Sequence, residues 1–356
     1  MDKLNVKEAE EKYLDKLNKE GITISVSKIQ CYRNCHQAFY YRYVLKLRRK
    51  MKGDALIRGS VIHESLENYY MGKSWKKPIK RFEKEFKEKY LLAERELLGD
   101  LPKMTYVLME NYIECWEEED EKYNWIKTEQ DFTVELPKPK EVKIPMFLTG
   151  FIDAQLEDNR GLLIGEHKTH KKFPDGDVRM FNTQSSLYAW VCNEHLGFKA
   201  DRILWNYIRA GMPSEPKILK DGKSISKARI DSTPLVVKKW LKENGYDLKK
   251  HQDLISAQSY DNWFRRNIVR TDKSIINSVL EDTVNTTQQM IVLPLLKDKN
   301  IDKFKCQYCD YKSICQLQLT NPQADLDFLI RSEYEIGGDN NGKKDKKQRS
   351  KGKNKK

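Results

Sequence analysis

The spacing of apolar side chains divides the chain into helical, strand-like and irregular stretches. Residues 1–20 are charged throughout and read as one helix, which Gly21 breaks. After the entry TISVS (23–27), the run KIQCYRNCHQAFYYRYVLKL has helical spacing; a basic stretch, Lys46 to Lys52, leads to a further helix from about Gly59 to Tyr70. Across 76–124 apolar residues recur near a 3.6 period. Pro137, Pro139 and Pro145 exclude a helix there, and from Lys127 the pattern alternates: KTEQDFTVEL, then PMFLTGFIDAQLED, the turn DNRG, then LLIGEHKT. A helix at about 180–196 and a strand-like DRILWNYIRA follow, then a Pro/Gly/Lys-rich connection over 211–232 and a mostly helical region over about 234–290. The sequence therefore predicts an α/β fold: a central mixed sheet flanked by helices, with helical lobes at about 64–124 and 234–290. No internal repeat is visible.

Charge changes that picture only at one end. The 356 residues hold 66 Lys and Arg against 53 Asp and Glu, a formal net charge of +13. Residues 341–356 contain nine Lys/Arg and one Asp, so most of the excess lies in a tail that reads as disordered, and the body is of mixed charge. No apolar run approaches the roughly 18 residues of a membrane span. The N-terminal 20 residues lack the apolar stretch of a secretory signal, so a cytoplasmic protein is expected. Seven cysteines, an odd number at irregular spacing, do not read as a disulfide framework. Cys115 and Cys192 sit in apolar helical contexts and read as small buried hydrophobes.

Candidate chemistry gathers on the hairpin GFIDAQLEDNRGLLIGEHKT. Side chains alternate along a strand, so Glu166 and Lys168 share a face and Asp153 can meet them across the pair. Two carboxylates and an amine at the end of an otherwise apolar sheet suit a hard divalent cation and phosphoryl chemistry. On the next helix Gln184 and Tyr188, four apart, share a face; His63 lies on a short helix after Gly59-Ser60. Cys306, Cys309 and Cys315 supply three thiolates, one short of the four that a structural zinc or an iron–sulfur cluster takes, and their spacing does not separate the two.

The order of these features resembles the PD-(D/E)XK nuclease superfamily, in its RecB-like branch of iron–sulfur exonucleases, which includes the AddB nuclease domain and CRISPR-associated spacer-acquisition nucleases. The shared order is Ser25-X-Ser27 and Cys35, Gly59-X3-His63, Gly150-Phe-Ile-Asp153, Glu166-X-Lys168-Thr169, Gln184-X3-Tyr188, and three closing cysteines. It spans about 25–315, and LWNYIRAGMPSEPKILKDGKSIS is similar to phage-type members. The first family cysteine is usually followed by Pro; here His36 follows. The resemblance implies a restriction-endonuclease-like fold over 25–336, preceded by a helical extension (1–24) and followed by the tail (337–356). It implies that Asp153 and Glu166 bind catalytic Mg²⁺ or Mn²⁺ with the His167 carbonyl and His63. Lys168 would position or activate water, and Gln184 and Tyr188 would orient the lysine or DNA. It implies a [4Fe–4S] cluster on Cys35, Cys306, Cys309 and Cys315, with Cys31 the competing fourth ligand and zinc the alternative occupant. Such a cluster would staple the N- and C-terminal regions together.

DNA contacts are expected from Arg48, Arg49 and Lys50 in one basic run, from the lysines of 238–250, and from Arg265 and Arg266 beside Trp263 and Phe264. The function expected is a metal-dependent DNA exonuclease acting on single strands or frayed ends in recombination, repair or replication. Two other readings remain: a nuclease subunit of a separate helicase complex, since no Walker-type loop occurs in this chain, and a DNA-end-binding protein with a vestigial site.

Overall fold

In a computed structural model, residues 4–51, 53–174, 182–321 and 323–337 are described. Lys52, the first two residues of the expected 180–196 helix, and the basic tail beyond 337 lie outside them. Two compact units are made of interleaved segments: 1–52, 132–150 and 280–356 in the first, 53–131 and 151–279 in the second.

In chain order, the first unit opens with α1 (Val6–Glu20), β1 (Ile22–Ile24), α2 (Val26–Asn34), α3 (His36–Phe39), a π-helical turn (Tyr40–Val44) and β2 (Leu47–Arg49). The second begins with α4 (Asp54–Tyr70), α5 (Lys76–Lys89), α6 (Leu92–Leu98) and α7 (Leu101–Asp120). The strands β3 (Asn124–Glu135) and β4 (Met146–Asp158) follow, then β5 (Gly161–His170), α8 (Thr183–Glu194), β6 (Arg202–Arg209), α9 (Pro234–Glu243), α10 (Gln252–Ser256) and β7 (Phe264–Arg270). After α11 (Lys273–Val292) come α12 (Lys303–Gln307), α13 (Lys312–Thr320), α14 (Leu326–Glu333) and β8 (Tyr334–Ile336). No helix of the described residues is long and apolar enough to cross a membrane.

Local chemistry sets the helix ends. Asn5 accepts from the Glu8 amide and starts α1; Gly21 ends it at φ +80, where an added Cβ would lie 2.3 Å from the Pro145 carbonyl oxygen. Asp100 caps α7 through the Lys103 amide, and Asn182 caps α8 through the amides of Gln184 and Ser185.

The central sheet is mixed, as expected, in the order β1-β4-β5-β6-β7, with β3 also paired to β4. β1–β4 and β5–β6 are parallel, whereas β4–β5 and β6–β7 are antiparallel. The region 234–290 is mostly helical, with one strand that the sequence pattern did not separate: FRRNIVR forms β7 and pairs along β6 from Phe264 to Arg270. Its alternation of side chains fits an edge strand, with one face packed and the other open. In the second unit, Ile62 and Leu66 of α4 and Leu101, Leu108 and Tyr112 of α7 are fully buried with Phe264 of β7. Each such side chain contributes roughly 1.5–3 kcal/mol.

Candidate active site

The ladder between β4 and β5 runs from Asp158↔Gly161 to Ala154↔Gly165. Asp153 and Glu166 are the next residues along the two strands, so the site forms where the ladder ends. The His167 amide donates to Asp153 Oδ2 at 2.8 Å. Glu166 and Lys168, two apart, share a face, and their side chains form an ion pair. Gln184 joins them from α8: Lys168 Nζ donates to its Oε1 at 2.9 Å, and its Nε2 donates to Glu166 Oε1 at 2.8 Å. Tyr188, one turn further on α8, is buried, with hydrogen bonds to the Phe151 backbone and Gln184. Asp153, Glu166, Lys168, Gln184 and Tyr188 therefore meet in the second unit.

His63 reaches the same point from α4. Its Nδ1 lies 3.5 Å from Asp153 Oδ1 and 3.9 Å from Glu129 Oε1. Among the described residues, His63, Glu129 and Asp153 form the group of His, Cys, Asp or Glu whose ligand atoms all lie within 4.8 Å of one another. Glu129 is the member that sequence reasoning missed. It sits on β3 at φ +51, a left-handed backbone that a non-glycine residue adopts only where its surroundings hold it. Nothing in KTEQDFTVEL separates Glu129 from Asp131 or Glu135 by period alone.

Burial and charge act together here. Burial opposes ionisation of Asp153, yet adjacent His63 outweighs it and holds the carboxyl below its ordinary range. Glu166 is pushed up to about 7, by burial and then by Asp153. Burial also opposes a charge on His63, but Asp153, Glu129 and Glu166 raise it to about 9. Lys168 is likewise raised, Glu166 and Asp153 outweighing burial. Three carboxylates with one imidazole and one ammonium form an oxygen-rich donor set that fits a hard divalent cation. The expected ligands divide: His63 and Asp153 belong to the close group, while Glu166 is held by Lys168 and Gln184.

On the opposite face of β5 the His167 ring is buried, and burial lowers its pKa to about 3. Its Nδ1 meets Asn206 Nδ2 at 2.8 Å, and the same amide donates to the Tyr112 hydroxyl at 2.7 Å. Arg266 completes this network, donating to the hydroxyls of Tyr112 (2.7 Å) and Tyr70 (3.0 Å) and pairing with Asp120 at 2.7 Å. Only 4% of the Arg266 side chain is exposed. The expectation that Arg266 contacts DNA is thus corrected: its guanidinium is spent inside the protein.

Arg265, its neighbour, is exposed. Arg48 donates to the carbonyls of Arg42 and Leu47, Arg49 to Asp310 O, and Lys50 to Arg331 O. Arg49 and Lys50 stay exposed while Arg48 is half-buried.

In the first unit Cys31, Cys35, Cys306, Cys309 and Cys315 all line one cavity of about 590 Å³. No three of their sulfurs gather within 4.8 Å of one another, so the thiols do not form a closed ligand group. In the second unit Cys192 is buried and Cys115 half-buried.

The chain matches the model of the PD-(D/E)XK nuclease superfamily over residues 23–316. Among solved structures it is similar to a candidate exonuclease from Eubacterium rectale (12% identity, TM-score 0.46), covering 86% of this chain and 95% of that one. It is also similar to the protein SSO0001 (13% identity, TM-score 0.32), covering 88% of this chain and 97% of that one. No curated protein matches the sequence.

Proposed function

The chain belongs to the PD-(D/E)XK nuclease superfamily and is a hydrolytic nuclease of a class that uses divalent metals; on that premise we propose that it is a DNA exonuclease that attacks single-stranded or frayed ends. The observation that carries this reading is the depth of the catalytic set. The side chains of Asp153 and Glu166 are only 9% and 5% exposed, whereas those of His63 and Lys168 are 27% and 29% exposed. Reacting groups held below the surface suit a single strand, whose backbone can bend in to them, better than an intact duplex.

Hydrolysis adds a water oxygen to phosphorus and breaks one phosphoester bond. It leaves a phosphate monoester and an alcohol. A divalent cation on His63, Glu129 and Asp153 would supply Lewis-acid stabilisation of charge on the phosphoryl oxygens. Lys168 has three N–H donors, of which Glu166 and Gln184 take two. The third is left for the attacking water or a phosphoryl oxygen, so Lys168 acts as a fixed positive donor. Gln184 bridges Lys168 and Glu166 and limits the rotamers of both. Asp153 is oriented by the His167 amide and, as the ladder ends there, also satisfies that amide.

A second element of the proposal is an iron–sulfur cluster on Cys35, Cys306, Cys309 and Cys315. What supports it is that all four cysteines line one cavity of the first unit, together with the family resemblance; zinc is the alternative occupant. A helicase partner and a role in recombination, repair or replication remain part of the proposal on the strength of the resemblance alone.

The deciding experiment compares one single-stranded sequence as a linear and as a covalently closed circle, with Mg²⁺, Mn²⁺ or chelator. Degradation of the linear form only, abolished by Asp153→Ala, Glu166→Ala or Lys168→Ala, is expected. Equal cleavage of the circle would replace the end-dependent reading with an endonuclease.

A further inference from the structure

Register across three strands places an exposed cation on the catalytic face. Lys168 of β5 pairs with Tyr207 of β6, and Tyr207 pairs with Arg265 of β7. Residues directly opposite one another in paired strands project from the same face. Lys168, Tyr207 and Arg265 therefore form one row across the sheet. The Lys168 ammonium lies 6.0 Å from the centre of the Trp205 ring, and Trp205 stacks on Tyr207 two residues along (5.8 Å, 8°). Those contacts hold the same row together on the same face. The next row along pairs His170 with Arg209.

Two strand spacings put Arg265 about 10 Å from Lys168 along the sheet. Its guanidinium lies over the Phe173 ring at 4.8 Å, and Phe173 in turn contacts Tyr207 at 6.2 Å between centroids. Phe173 is half-buried, His170 and Arg265 are exposed. Among the described residues no carboxylate pairs with Arg265, in contrast to Arg266, which is consumed by Asp120. An arginine over an aromatic ring retains N–H donors that the ring does not accept, and its planar fork matches phosphate oxygens.

We propose that Arg265, held by Phe173 at the end of the Lys168–Tyr207 row, is a phosphate-binding subsite for the strand being cut: it grips a phosphate neighbouring the scissile one and sets the register of the strand in the active site. The reaction leaves Arg265 unchanged; its role is positioning. The inference rests on the nuclease reading and deepens it, since it names a phosphate contact about two strand spacings from Lys168, with buried Tyr207 between them.

The test measures binding of a single-stranded oligonucleotide in chelator, so that nothing is cut, over a range of salt. One lost ionic contact lowers the slope of log affinity against log salt by about 0.7, which at 0.15 M salt corresponds to roughly fourfold weaker binding. Arg265→Ala is expected to show that loss, while Arg265→Lys keeps the slope because it keeps the charge. In cleavage with metal, the Arg265→Ala defect should fall on KM more than on kcat. A set of oligonucleotides with one neutral methylphosphonate each should reveal a linkage near the scissile bond that weakens the wild type but not Arg265→Ala. An unchanged salt slope, or identical methylphosphonate profiles, overturns the subsite while leaving the nuclease standing. A wild type that cleaves no strand in either metal overturns both.

Discussion

Replacing Arg266 with methionine tests the correction that moved this arginine from the surface to the interior. The guanidinium is 4% exposed and the Asp120 carboxylate 8%, at 2.7 Å. Removing one partner of a buried pair costs about 3–5 kcal/mol, because the remaining charge is left without compensation. In a unit of about 200 residues each kcal/mol moves Tm by roughly 2–4 °C, so a fall of about 6–20 °C is expected. The pH dependence identifies the cause. Burial pushes Asp120 up to about 6 even though Arg266 pulls it down. A carboxyl whose folded value is raised contributes stability below its unfolded value, near 3.9, and that contribution is lost as pH rises through the folded value. Without Arg266 the folded value rises further, so the loss continues beyond pH 6 at up to about 1.4 kcal/mol per unit. The Tm deficit of Arg266→Met should therefore be smaller at pH 5 than at pH 8, and Asp120→Asn in the same chain should restore part of it. Thermal melts at the two pH values decide the matter. A deficit independent of pH, or no rescue by Asp120→Asn, would refute the buried-charge argument.

Three further outcomes are expected. Glu129→Gln should weaken Mn²⁺ binding in calorimetry at least about tenfold, since even residues behind the ligands cost 10–100-fold; wild-type affinity would remove Glu129 from the site. Gly165→Ala places a Cβ 2.9 Å from that of Ala154, beside Asp153, so it should lose about 1–3 kcal/mol by overpacking and lower the cleavage rate; a variant as stable and active as wild type contradicts the tight β4–β5 contact. Cys35→Ala should lose bound iron and the visible absorption of anaerobically purified protein, while Cys31→Ala and Cys192→Ser keep them; iron lost from Cys31→Ala but retained in Cys35→Ala would exchange the fourth ligand.

Much of the site is legible in one dimension because strand alternation is local. The two-residue step from Glu166 to Lys168 places both on one face wherever the strand lies, and the Asp-Asn-Arg-Gly turn brings Asp153 opposite them. The four-residue step from Gln184 to Tyr188 does the same on α8. Those spacings, with the apolar runs around them, were enough to indicate a mixed α/β sheet and a metal-assisted phosphoester site. His63 stands ninety residues before Asp153, and only its place in the recognised order of motifs marked it.

What the tertiary structure alone decided is which face of each element meets which partner. FRRNIVR alternates equally well with either face inward, so the sequence presents Arg265 and Arg266 as equals. The pairing of β7 with β6 turns Arg266 toward Tyr70, Tyr112 and Asp120, and Arg265 toward the row of Lys168. Glu129 depended on the fold even more, because a left-handed turn in β3 breaks the alternation by which its direction could have been read. Periodicity states that two faces differ; burial against a distant segment chooses between them, and that choice is a property of the folded chain.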